Sequence, residues 1–121
     1  MNALPPPSEA EVLRQVLAWL QLQRVPHWRA NTGAARLGKR FVRFGPAGQA
    51  DILGLLPPSG RLLAIEVKRP GGRVRAAQKA FLAAIAAAGG VALVVHSVDE
   101  LAAGLVAAVF PVAKVDVLPC P

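Results

Sequence analysis

Cysteine is almost missing from this chain. Cys120 is the single one, so no intrachain disulfide can form, and the expected setting is a reducing compartment, the cytoplasm. Next to last of 121 residues, it is not expected to take part in catalysis. A secretory leader is not expected either, because "MNALPPPSEAE" has neither a basic n-region nor an apolar h-region. Long apolar runs are lacking: the longest, Ala80 to Val95, is broken by Gly89-Gly90 and falls short of the ~20 residues that a membrane helix needs. Histidine is scarce, and His27 and His96 stand far apart without metal-ligand spacing. Acid is the most telling shortage. Seven Asp and Glu face fourteen Lys and Arg, a net charge of +7, so each carboxylate needs a reason for its place.

What is present is a core. Hydrophobic residues make up 54%, which excludes wholesale disorder, and the length suits one domain over 1–121. Ten of the fourteen cations are arginine, whose guanidinium suits phosphate recognition, so a polyanionic partner is expected. Solubility, or a compositional bias toward Arg, Ala, Gly and Pro, is the plainer explanation of the same charge.

Along the chain, Pro5 to Pro7 form a stiff leader and Ser8 stands where a helix N-cap would. Val12, Leu13, Val16, Leu17 and Leu20 recur at helical spacing from Glu9 to Gln23, before Pro26. "HWRAN" (27–31) reads as a short strand, and Gly33 to Gly48 as an irregular or hairpin segment around "RFVRF". "ADILGLL" (50–56) and Arg61 to Arg69 are strands joined by the turn "PPSG", so they should pair antiparallel. Residues 71–90 give a loop, a helix and a glycine stop. "VALVVHS" (91–97) is a buried strand, and a helix starts after Ser97 with Asp99 and Glu100 near its positive end. The order α-β-β-β-α-β-α predicts an α/β domain, a mixed sheet flanked by helices. Its core should span about 8–105, followed by an apolar tail over 106–121.

The third strand, within "RLLAIEVKRPGG", carries charges in an apolar run. Alternation puts Leu63, Ile65 and Val67 on one face, and Leu62, Ala64, Glu66 and Lys68 on the other. A surface ion pair on a polar sheet face would explain Glu66 and Lys68. Asp51 argues for more, because the hairpin brings it to the same open end as Glu66. Two carboxylates so close repel one another unless a cation neutralises them, and Mg²⁺ favours one or two carboxylates plus water and phosphate oxygens. Lys68 would then stand beside the metal, placed to orient a water or stabilise phosphoryl charge. Glu9 continues the inward stripe of Val12, Val16 and Leu20, while Glu11 shares the outer face with Arg14, Ala18 and Gln21. Favourable placement at the helix's positive end explains either glutamate equally well. Gln78 continues the stripe of Phe81, Leu82 and Ile85, so its amide should face inward.

These residues carry a resemblance. The stretch "GQADILGLLPPSGRLLAIEVKRPGGRVRAAQKAFLAAIAAAGGVALVVHSVDEL" (48–101) resembles the VRR-NUC domain of the PD-(D/E)XK nuclease superfamily in its small stand-alone form. "SEAEVLRQVLAWL" (8–20) and "WRANTGA" (28–34) are similar to the family's N-terminal part, so the likeness covers about 8–105. It implies a restriction-endonuclease-like core that cleaves DNA phosphodiesters with Mg²⁺ or Mn²⁺. Carried over, the metal site comprises Asp51, Glu66 and Val67, Lys68 is the catalytic lysine, and Gln78 is the glutamine after the lysine motif. Glu9 best matches the family's helical glutamate, with Glu11 as its rival, and Ala50 stands where the family often has proline. Arg29 and Asn31 match the family's "RxN" pattern and are candidate DNA contacts. Arg69, Arg73 and Arg75 surround "PGG" and are candidate phosphate contacts, or plain solvated charge. Trp19 and Trp28 read as core or interface residues.

The resemblance further implies a homodimer acting on branched, Holliday-junction-like DNA. The apolar residues 105–119 offer an interface, unless they fold back on their own sheet. Two other readings stay open: a flap nuclease or exonuclease using the same residues, and a nucleic-acid-binding module that uses only its basic surface.

Overall fold

The computed structural model describes residues 4–30, 34–43 and 45–109, with the side chains of 34–36 and 41–43 left aside. Helix α1 (Glu9–Leu22) starts at Ser8, whose hydroxyl accepts the Glu11 N–H at 3.2 Å, as an N-cap should. Its buried stripe is Val12, Val16 and Leu20, the spacing that the sequence shows.

Strand β1 (His27–Arg29) follows, and then a two-stranded sheet of β2 (Ala34–Leu37) and β3 (Arg40–Arg43). Of the two readings for Gly33 to Gly48, the hairpin is therefore the one observed. It turns on two residues between Leu37 and Arg40, with Gly38 at φ 64°, the backbone that such tight turns demand. The element order gains these two strands over the expected one.

Strands β4 (Ile52–Leu56) and β5 (Arg61–Val67) are antiparallel neighbours, in register from Ile52↔Ile65 to Leu56↔Arg61. Residues 57–60 make the turn, closed by the Gly60 N–H donating to the Leu56 carbonyl at 2.8 Å. Helix α2 (Ala76–Ala87) ends at Gly89, whose φ is 99°, and leads into β6 (Val91–Val95), which runs parallel to β5. Helix α3 (Val98–Val109) closes the described chain and runs past 105, where the apolar tail was expected to begin. Residues 110–121, including Cys120, lie outside the described residues.

The main sheet has the order β1-β4-β5-β6, antiparallel except for its last pair. Helices α1 and α3 cover one face, where Val12, Val16, Leu20, Leu63, Ile65 and Leu101 are fully buried. Helix α2 covers the other over β5 and β6, burying Ala50, Ala64 and Leu82. The result is the mixed sheet flanked by helices that the sequence predicts, consistent with a restriction-endonuclease-like fold. The plainer explanation of Glu66 and Lys68, a surface ion pair on a polar sheet face, does not hold. The face of β5 that carries Glu66 is no polar surface, since Ala64 and Glu66 are 0% and 2% exposed. Alternation located the face correctly, but α2 returns across it and removes it from water.

Candidate active site

The site lies where β4 opens and β5 ends. Asp51 sits at a bend just before β4, one residue beyond the last ladder pair, Ile52↔Ile65. Its Oδ2 accepts the Val67 N–H at 2.8 Å, so the carboxylate takes up a strand donor that would otherwise need a partner. The Asp51 carbonyl accepts the Ala30 N–H at 2.9 Å, which ties β1 to the same point. Asp51 is thereby brought near enough to Glu66 for its charge to be felt there.

Glu66 is the single buried polar or charged residue among those described. Burial is the largest influence on its carboxyl. The neighbouring Asp51 charge adds to it, and together they push the pKa from 4.5 up to about 8. Lys68 opposes the rise. Its Nζ lies 3.8 Å from Glu66 Oε1, with only 13% of the lysine side chain exposed. At that separation one ammonium does not offset the combined effect of lost water and a second carboxylate. Glu66 Oε2 is left buried with no hydrogen-bond partner.

Gln78 completes the cluster from α2. Its Oε1 accepts the Arg75 N–H at 2.8 Å, which leaves its amide N–H₂ to donate to Glu66 Oε1 at 3.0 Å. The first contact fixes which end of the amide faces the acid. Arg75, at the N-cap, has no acceptor atom in its side chain, so only Gln78's half of a reciprocal cap can form. The inward stripe expected of Gln78 is what the structure has. Val67, by contrast, buries an aliphatic side chain on the α1–α3 face, so at a metal it has only its main chain to offer.

Glu9 is exposed in the first turn of α1, yet its charge adds to the rise at Glu66, as the smallest of the contributions. Glu11 makes no such contribution; its N–H binds Ser8 and its side chain is exposed. Arg29 pairs with Ile52 across β1 and β4, which places it on the α1–α3 side of the sheet, opposite to Glu66. Asn31 lies outside the described residues. Arg69, Arg73 and Arg75 are all exposed, and among the described residues none forms an ion pair. Trp19 packs against the core, but Trp28 is 48% exposed and stands on the α2 side of the sheet beside Leu53.

Two features escaped the sequence reading. Gln49, two residues before Asp51, buries its Oε1 with no partner. His96, following β6, donates its N–H to Glu100 Oε2 at 2.6 Å and sets Nδ1 2.9 Å from the same oxygen, and these bonds hold the Glu100 carboxyl below its usual range. The signal for the second was legible: Ser97 and Glu100 have capping-box spacing, and the Ser97 hydroxyl accepts the Glu100 N–H at 3.1 Å. Nothing local marks Gln49, because its burial comes from α2.

Among the described residues no three His, Cys, Asp or Glu side chains come together. A Mg²⁺ ion does not need three, since it binds through one or two carboxylates and keeps water or phosphate oxygens for the rest. Adjacent acids, an orphaned buried carboxylate oxygen and a raised pKa together make a donor set that suits a hard cation. The residues fit.

Among the described residues no helix is long and apolar enough to cross a membrane. Searches of curated proteins and of solved structures return no match. The family model of the VRR-NUC domain matches residues 8–99, from the cap of α1 into the first turn of α3, and so spans Asp51, Glu66, Lys68 and Gln78. With most of its length matched, the chain belongs to the VRR-NUC domain family of the PD-(D/E)XK nuclease superfamily.

Proposed function

We propose that this nuclease is a metal-dependent DNA endonuclease that hydrolyses phosphodiester bonds, acts on branched DNA and works as a homodimer. The observation that carries the metal requirement is the buried Glu66 carboxyl, near Asp51 and with one oxygen unpartnered. Asp51 and Glu66 would hold Mg²⁺ or Mn²⁺, with the Val67 main chain at the same point. Bound there, the ion would supply Lewis-acid polarisation of the phosphoryl oxygen and a water of lowered pKa.

The chain's own residues do the rest. Lys68, largely shielded from solvent, keeps its ammonium beside Glu66, where it can orient the attacking water or stabilise charge on the phosphoryl oxygens. Gln78 holds Glu66 Oε1 from the α2 side and prevents the carboxylate from turning. Glu9 adds negative potential at the mouth of the site. Arg69, Arg73 and Arg75, exposed around the 69–72 turn, supply backbone phosphate contacts, and the net +7 draws the polyanion in.

Dimerisation is supported by arithmetic and surface. The described residues hold one such cluster, so cutting two strands needs two copies, and Val106 and Val109 expose 59% and 48% of themselves on α3. Preference for branched substrates rests on the family likeness.

The test is cleavage of labelled linear, flap and four-way-junction DNA with Mg²⁺, Mn²⁺ or EDTA, alongside light scattering of the protein. We expect cutting only with metal, fastest on the junction, and none in Asp51→Ala. Undiminished cutting in EDTA or in Asp51→Ala would overturn the metal assignment. Preferential trimming of ends or flaps would move the protein to an exonuclease or flap nuclease, and a monomeric mass would remove the dimer.

A further inference from the structure

A cavity of about 220 Å³ lies between the 45–49 loop and the start of α2, lined by Gly48, Gln49, Arg75, Ala77 and Gln78. Its geometry depends on Gly48. The φ there is 75°, and a Cβ at that position would fall 2.2 Å from the Ala77 carbonyl oxygen. Only a glycine lets the loop lie so close on the first turn of α2, and that approach builds the cavity wall from main chain.

Gln49 brings the chemistry. Its Oε1 is buried among the described residues without a hydrogen-bond partner, in a wall that otherwise offers a second amide and a guanidinium. A buried acceptor left unmatched is costly, and because this oxygen is out of contact with solvent the Gln49 side chain must turn toward the cavity to meet an incoming donor. Among the described residues no carboxylate lines the cavity, so none of them repels an anionic strand there. Gln78 belongs both to this wall and to the catalytic cluster, because its amide donates to Glu66 Oε1 at 3.0 Å. The cavity therefore opens next to the place where the scissile phosphate would lie.

We propose that this cavity seats the base of a nucleotide flanking the scissile phosphate, and that Gln49 reads the edge of that base. Glutamine amides and arginine guanidinium groups are the side chains that pair with purine edges, glutamine with adenine and arginine with guanine. A purine is the expected occupant, and the nuclease would show a base preference at one position beside its cut. This rests on the DNA-nuclease reading above, so the test has one arm that needs cleavage and one that does not.

In the first arm the protein cuts a pool of DNA randomised around the break, and the ends are sequenced. Wild type should favour one base at a flanking position by about tenfold, the discrimination given by one good amide contact. Gln49→Ala should level that position, and Gln49→Glu should shift it toward cytosine, whose amino group a carboxylate accepts. In the second arm, short single-base oligonucleotides are added in EDTA, where nothing is cut, and the side-chain amide resonances of Gln49 are followed. They should move with one purine strand more than with the pyrimidine strands. Cutting without bias, or bias that survives Gln49→Ala, overturns the base pocket while leaving the nuclease intact. Purine-selective shifts in a protein that cuts nothing would keep the pocket and sink the nuclease. Gln49 resonances that respond alike to all four strands count against the pocket in either case.

Discussion

On one face of the central sheet, Leu63, Ile65 and Val67 pack under α1 and α3, and every buried residue there is aliphatic. On the other face, Ala50, Ala64 and Leu82 form a small cluster under α2, and Glu66 shares that interior with the amide of Gln78 and the stem of Lys68. Consecutive residues of β5 thus serve opposite needs. The first face removes apolar surface from water, which is the main favourable contribution to folding. The second keeps Glu66 near the charge of Asp51 in low dielectric, which is unfavourable to its ionised form. Stability and chemistry are divided between the two sides of a single strand.

The largest expected effect would break this division at adjacent residues. Glu66→Gln should lower cleavage by about 10²–10³ or more, as expected when a charged catalytic partner is removed, with metal-free stability equal or higher. Ile65→Ala, one residue earlier and facing the other way, should cost about 2–5 kcal/mol in a urea melt, with its metal requirement unchanged. Should Glu66→Gln unfold the protein, or Ile65→Ala spare it, the two faces are not separate in function.

A second test reads the same contrast through pH. Folded Glu66 holds its proton up to about pH 8, whereas the unfolded carboxyl releases it near 4.5. The stability that this proton confers is therefore complete below 4.5 and is lost as pH rises toward 8. Metal-free protein should melt at a lower temperature at pH 8.5 than at pH 5.5, and Glu66→Gln should remove most of that slope. Glu100 does not confuse the result, since its lowered pKa acts below 4.5. A flat profile in wild type would mean that the second face stores no electrostatic cost.

The smallest effect concerns α1, which belongs to the first face but touches the second electrically. Glu9→Gln should change metal-dependent cleavage several-fold and Glu11→Gln should not, because Glu9 alone of the two is felt at Glu66. Equal effects from both would reduce Glu9 to a helix-end charge.

Much of this was legible in the sequence, for physical reasons that differ by element. The β4–β5 hairpin was readable because a short turn leaves antiparallel pairing as the direct solution, and strict alternation then fixes which side Glu66 and Lys68 take. The inward positions of Val12, Val16, Leu20 and Gln78 followed from helical period alone. What local pattern does not encode is what comes back to cover a face. Burial of Glu66 by α2, exposure of Trp28 and the enclosure of Gln49 all depend on the path of a distant segment. The position of Arg29 was lost for a related reason: the "RxN" spacing says that Arg29 and Asn31 share a face, but only the β1–β4 register says which.

The separation of the contacting residues along the chain has a consequence for assembly. Asp51 meets Val67 across 16 positions and Gln78 meets Glu66 across 12, so the candidate site is closed by loops of moderate length. Short loops close at little entropic cost and close early, whereas α1 must return from the far end of the chain to dock on β5. The candidate site residues Asp51, Glu66, Lys68 and Gln78 therefore come from one stretch of the chain that does not include α1. During folding the two acids are drawn together while water still screens them, and their repulsion grows only as the interior dries.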